Sequence, residues 1–309
     1  MPPRLIVGLS NFHDQFPDGG WDGLLDLAAA ADAAGIGAVS VVDHVALGGD
    51  LDGYPYGAFP GGPEAPWLEP LTTLAAIAGR TQRIRLMTGI LIAPLRPAAL
   101  LAKTAATLDQ LSGGRLDLGV GTGWLPKEYE AVGLDFGERG RLLDDTLAAC
   151  NALWRGGPTS FASPRLRFDD VHCSPRPVQA GGVPFWVGGD LHPRNVERIV
   201  RHATGWIPAP PTKPADVATG AKLLRAAFAE AGRDPAELRV RVSLPPGRDG
   251  DRRVAPARTF DTLAETLALT GATDVFVAHQ AFGSPPSAAA ELFGELAEAF
   301  AGAVEASRC

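Results

Sequence analysis

Along nearly the whole sequence, short apolar runs rich in β-branched residues and leucine alternate with longer, alanine-rich amphipathic stretches. This rhythm is the strongest constraint on the fold. Strands that follow one another through a helix-length connection pair in parallel, because parallel neighbours need a crossover of a dozen or more residues. Eight runs read as strands: Leu5–Leu9, Ala38–Val42, Ile84–Ile92, Leu116–Val120, Val183–Val187, Gly205–Ile207, Leu238–Val242 and Thr273–Val277. A helical pattern follows each of them, and 309 residues over eight units is about 39 per unit, the allowance of a (β/α)₈ TIM barrel with insertions. The expected architecture is one such α/β barrel over residues 1–309, with insertions after strand 2 and before strand 5.

Helix punctuation agrees. Trp21–Ala34 sets Leu24, Leu25, Leu27, Ala28 and Ala31 on one stripe and stops at Gly35, a residue suited to closing a helix. Pro70 and Pro97 stand where first-turn prolines belong, opening Leu71–Ala78 and Ala98–Leu111. The insertions are Ala46–Glu69, rich in Gly, Pro and aromatics, and Arg155–Gly182. Loops after strands build the mouth of a barrel, and both insertions are expected to wall the pocket.

Composition removes several function classes. A formal net charge of −7 opposes nucleic acid or an anionic membrane as partner. No run of 18 apolar residues offers a membrane span, and Leu5–Leu9 is too short for a signal segment. The three cysteines, Cys150, Cys173 and Cys309, are far apart, which argues against a disulfide framework or zinc site and for a reducing, cytoplasmic setting. No His/Asp/Glu cluster has metal-ligand spacing.

Four segments carry candidate chemistry. Asp43-His44 follows strand 2 at its C-terminal end, where barrel reactions take place; the histidine there either exchanges a proton or satisfies a loop carbonyl. Gly89-Ile90 interrupts the apolar third strand, marking a bulge, a close backbone approach or a simple packing gap. Strand 4 runs into Gly119-Val-Gly-Thr-Gly-Trp124, bare backbone suited to a flat cofactor or phosphate. Its G-x-G-x-G spacing is not the dinucleotide fingerprint. It does mimic the first motif of methyltransferases that use S-adenosylmethionine, a reading weakened by the three βα units that precede it. Gly188-Gly189, followed by Arg194, Arg198 and Arg201, reads as an anion site or as a tight turn. Glu128 and Glu130 read as a solvated helix face, and His202 and His279 lack supporting context. His172-Cys173 is discounted as a nucleophile and base, since adjacent loop residues rarely face each other.

Taken in order, these segments resemble the luciferase-like monooxygenase superfamily. The resemblance is carried by Gly35-Ile-Gly-Ala-Val-Ser-Val-Val-Asp-His44, Pro66-Trp-Leu-Glu-Pro70, Arg83-Ile-Arg-Leu-Met-Thr-Gly-Ile90, Leu108-Asp-Gln-Leu-Ser-Gly-Gly-Arg115, Gly119–Trp124, and Trp186-Val-Gly-Gly189 with Gly205-Trp206. It spans about residues 4–208 and is only an outline beyond. Within the superfamily the chain is most similar to the actinobacterial branch that uses coenzyme F420, and an arginine-dominated basic set with only four lysines fits a high-GC source.

The resemblance implies an oxidoreductase transferring a hydride between deazaflavin C5 and a small organic substrate, with FMN-dependent monooxygenation as the alternative and a homodimer as the common assembly. It implies that His44 faces ring and substrate and that Asp43 orients it or touches the cofactor. It places at Gly89-Ile90 the non-proline cis peptide that backs the ring in many relatives, lines the cofactor with Gly121, Thr122 and Gly123, and gives its phosphate to Gly188, Gly189 and Arg198. Asp117 departs from the pattern: it stands where an apolar residue is usual, and if buried it needs a partner.

Overall fold

A computed structural model describes residues 2–12 and 20–307. Its strands are β1 (Arg4–Gly8), β2 (Ala38–Val41), β3 (Arg85–Ile92), β4 (Leu116–Gly121), β5 (Thr159–Ala162), β6 (Arg167–Val171), β7 (Phe185–Gly188), β8 (Gly205–Ile207), β9 (Arg239–Ser243) and β10 (Asp274–Ala278). Its helices are α1 (Asp22–Ala33), α2 (Pro70–Arg80), α3 (Ala98–Leu111), α4 (Pro126–Ala131), α5 (Arg139–Trp154), α6 (Pro193–His202), α7 (Pro214–Glu230), α8 (Leu263–Thr270) and α9 (Ala289–Ala306). Eight strands close a barrel in the order β1-β10-β9-β8-β7-β4-β3-β2, every pair parallel. They are the eight apolar runs of the sequence. A closed barrel also removes the methyltransferase reading, whose glycine motif opens an open, doubly wound sheet.

The helices bury their alanine and leucine stripes on the outside of this barrel, forming one continuous apolar shell with the outward faces of the strands. The lumen is filled in layers. Ile6, Ala38, Met87, Trp186 and Ile207, with Phe276 against them, make its apolar middle. Below them, at the strand N-termini, lies a layer of charge. Asp117 is 2% exposed and takes Arg4 Nη1 at 2.9 Å and Arg85 Nε at 2.8 Å. Asp274 is fully buried and takes Arg4 Nε at 2.6 Å and Arg239 Nη2 at 2.9 Å. The partners that Asp117 needs are thus the first residues of β1 and β3.

The two insertions lie at opposite ends of the barrel. Residues 46–69 follow β2 and sit over the mouth. The stretch from 155 to 182 precedes β7, so it joins a helix C-terminus to a strand N-terminus and belongs to the far end. Its β5–β6 hairpin lies on the flank of α5, with Arg165 bonded to Asp145 and Glu138. Its last turn closes the N-terminal end of the barrel, where Gln179 bonds Arg85, Asp109 and the Leu116 carbonyl. The expectation that this insertion walls the pocket is corrected; its Phe161 stacks on Phe168 within the hairpin.

Gly119 shows why the β4 glycines are there. A Cβ on it would stand 2.0 Å from the Thr88 carbonyl oxygen, at the point where the β3–β4 register shifts. Because that neighbour is backbone, Gly119→Ala is expected to cost at least the roughly 1–3 kcal/mol of ordinary overpacking, read as a lower urea midpoint at unchanged m-value.

Candidate active site

The chain leaves β2 through a tight hydrogen-bonded exit. Asn11, fully buried, accepts from the Val42 N–H at 2.9 Å and donates to the carbonyls of Val42 and Leu68 at 2.8 and 2.7 Å. This ties both ends of the long mouth loop to one side chain and fixes where residues 43 and 44 emerge.

Asp43 and His44 then part company. The Asp43 carboxylate is bidentate with Arg96, at 2.7 and 3.0 Å, and accepts the Ile92 N–H at 2.8 Å. Burial pushes its carboxyl upward, while the Arg96 guanidinium opposes the shift. Arg96 also binds Glu69, the N-cap of α2, so Asp43 clamps the exits of β2 and β3 together. It has no hydrogen bond to His44 among the described residues.

The partner of His44 is Glu128. Its Oε2 lies 3.2 Å from His44 Nδ1, and its Oε1 accepts the Val45 N–H at 2.7 Å. Both side chains are nearly inaccessible, 9% exposed for His44 and 1% for Glu128. The reading of Glu128 as a solvated helix face is therefore corrected. α4 is six residues long, less than two turns, so no periodicity marks its inner side. Glu130, two residues on, does face solvent, paired with Lys127. With Glu128 accepting from Nδ1, Nε2 is the imidazole atom left to exchange a proton.

Around His44 the mouth is aromatic. Trp67, Phe59 and Trp124 stand edge-on to the imidazole at 4.6, 5.3 and 6.1 Å between centroids, and Tyr54 packs against Phe59 and Trp124. The indole N–H groups of Trp67 and Trp124 are buried and lack acceptors among the described residues.

Beside this wall the glycine segments meet. The Gly89-Ile90 peptide is cis and lies at the β3 bulge. Ile90 lies over the ends of β4 and β7: a Cβ on Gly121 would stand 2.4 Å from its Cδ1, and one on Gly188 2.9 Å from its Cγ2. Residues 89–90, 121 and 188 are thus one continuous surface, in which the side chain of Ile90 occupies the room that the missing Cβ atoms leave. Thr122 is fixed by its carbonyl, which accepts the Tyr129 hydroxyl at 2.6 Å, and Gly123 continues the turn at φ +67°.

The expected phosphate ligands are arranged otherwise. The Gly189 N–H is spent on the Ile207 carbonyl at 3.0 Å. Arg198 is 4% exposed and gives its donors to Asp144, Asn195 and the Gly140 carbonyl, binding α6 to the start of α5. Arg194 shares Asp144, and Arg201 pairs with Glu197. All three Arg198 nitrogens are thus matched within the fold. Among the described residues no group of His, Cys, Asp and Glu could hold a metal ion, and no helix is long and apolar enough to cross a membrane.

Known proteins match this chain in sequence or in fold. A protein of Mycobacterium tuberculosis without an assigned function is 35% identical over 182 residues, covering 59% of this chain and 64% of that protein, so the match spans less than two thirds of that relative's length. An F420-dependent secondary alcohol dehydrogenase, solved with an F420-acetone adduct, superposes with a TM-score of 0.75 at 15% identity, over 97% of this chain and 99% of its own. The FMN-bound oxygenating constituent of 3,6-diketocamphane monooxygenase from Pseudomonas putida superposes at 0.74 and 14% identity, over 98% and 99%. At such identities the two structures share the fold alone. A family model described as luciferase-like monooxygenase matches residues 7–304, and the chain belongs to that family.

Proposed function

We propose that this chain is a coenzyme F420-dependent oxidoreductase, a reductase or dehydrogenase in which His44 handles the proton that accompanies hydride transfer. The observation that carries this reading is the buried His44–Glu128 pair at the C-terminal mouth of the barrel, beside the surface formed by Gly89, Ile90, Gly121 and Gly188.

The residues present fit a flat, acceptor-rich ring. Three buried donors near the mouth, on Trp67, Trp124 and Arg241, lack acceptors among the described residues, and unmet buried donors are costly unless a ligand answers them. Gly89, Ile90, Gly121, Thr122 and Gly123 would hold the ring face. When bound, the deazaflavin supplies a ring carbon that gives or takes a hydride.

The chain's own residues do the rest. Glu128 fixes the imidazole and its tautomer, and Nε2 takes a proton from a substrate hydroxyl or returns one to a carbonyl oxygen. Asp43 and Arg96 act as positioning residues that keep the β2 and β3 exits in register. Phe59, Trp67 and Trp124 exclude water and favour a small, largely apolar substrate.

FMN is the second reading, supported by the FMN-bound neighbour of the same fold. Titrating the purified chain with coenzyme F420, FMN and S-adenosylmethionine, followed by tryptophan fluorescence, separates these readings. The expected result is saturable binding of coenzyme F420. Tight binding of FMN alone would overturn the deazaflavin assignment, and binding of neither would overturn both.

A further inference from the structure

Arg241 is the third residue of β9, and its side chain turns inward. Three strands separate β9 from β3 on either side, yet the guanidinium crosses the lumen. Its carbon lies over the Phe276 ring at 4.6 Å, and its Nη1 comes within 3.4 Å of where a Cβ on Gly89 would stand. The residue is 7% exposed. No hydrogen bond or ion pair reaches it from the described residues, and its Nη1 is buried without an acceptor.

The contrast with the charged layer below is sharp. Arg4, Arg85 and Arg239 are matched to Asp117 and Asp274. Asp274 pairs in register with Arg241 along the β9–β10 ladder, but Arg4, Arg239 and the Thr273 hydroxyl take its oxygens. Burial pushes the Arg241 guanidinium down to about 10, against the opposing field of the Asp274 carboxylate. A cavity of about 200 Å³, lined by Pro208, Thr212, Ser243 and Leu244 among others, also reaches this side chain. A desolvated cation with no ion pair carries a penalty in the free protein, and a ligand that brings negative charge to the Gly89 bulge relieves it.

We propose that Arg241 is the charge partner of the reduced cofactor. This rests on the oxidoreductase reading above, with either coenzyme F420 or FMN as the ring. A hydride carries one proton and two electrons. When a substrate C–H bond gives up both its electrons with that hydrogen, and the substrate's O–H proton goes to His44, the substrate is oxidised by two electrons and the ring gains one negative charge. In a reductase the same balance runs in reverse. Arg241 neutralises that charge and so favours the reduced over the oxidised form.

The test uses the full chain and whichever of the two cofactors the wild type binds, in oxidised and chemically reduced forms, with Kd read from absorbance or fluorescence. Arg241→Met is expected to weaken the reduced form at least tenfold while changing the oxidised form less than threefold. A tenfold split lowers the bound midpoint potential by about 30 mV for a two-electron couple. Arg241→Lys should restore most of the split. Free of cofactor, Arg241→Met should melt at a higher temperature than the wild type, because it removes an unmatched buried charge.

Equal loss for both redox forms, no loss, or a lower melting temperature of the free variant would each overturn the assignment, since a structural residue behaves in those ways. The two readings fail separately. A wild type that binds neither cofactor removes the oxidoreductase reading and this inference with it, whereas a wild type that binds well beside a Met variant without a redox split removes this inference alone.

Discussion

Asp274→Ala is expected to lose about 3–5 kcal/mol of folding stability, the scale for removing one partner of a buried charge network. Asp274 accepts from Arg4, from Arg239 and from the Thr273 hydroxyl. Without it, Arg239 loses its carboxylate and Arg4 keeps only Asp117. Chemical denaturation against a surface control checks this. The Arg80–Asp26 pair has a similar 2.7 Å contact, but its side chains are 52% and 65% exposed, so Asp26→Ala should cost under about 1 kcal/mol. Equal effects for the two variants would mean that depth in the lumen does not govern these ion pairs.

The same layer sets an acid limb. Burial pushes the Asp117 carboxyl upward, but Arg4 and Arg85 outweigh it and hold it below its usual value. Its contribution is therefore fully present above the unfolded carboxyl value of about 3.9, and it is lost as pH falls through the lower folded value. Thermal melts of the wild type should be flat near neutrality and fall below about pH 4. Asp117→Asn should be less stable at neutral pH and show a shallower acid decline.

His44→Ala is expected to bind cofactor but turn over about 10²–10⁴-fold more slowly, the usual range for a lost general acid or base. Glu128→Gln should approach the same loss for a different reason. The amide can still take the Val45 N–H through its oxygen, but it then presents an NH₂ to His44 Nδ1, which forces the proton onto Nε2 and the wrong tautomer. Steady-state turnover beside a cofactor titration and a melting curve separates this from misfolding. A His44→Ala protein that keeps cofactor and full turnover would remove the proton-transfer role.

Much of the fold was legible because parallel strands buried on both faces announce themselves as apolar runs, and closure then follows from eight of them. The β3 bulge was legible because a glycine in such a run is out of place, whereas the cis bond at Gly89-Ile90 was expected from the family resemblance alone. Glu128 was not legible: its helix is too short to show a face, and His44 is 84 residues away. The partners of Asp117 were hidden in the same way, since Arg4 is 113 residues distant and adjoins it only once the barrel closes. Arg241 lies in the alternation Arg239-Val-Arg-Val242, which reads equally as a strand with one solvated face. The rule that loops after strands build the mouth does not reach 155–182, because this stretch precedes a strand and so belongs to the far end.

The ionic layer has a consequence for traffic. With Arg4, Asp117, Asp274 and the turn around Gln179 sealing one end, the barrel is a cup with a single lip. Whatever settles deepest must arrive first and depart last, and a later guest resting on top corks the earlier one in.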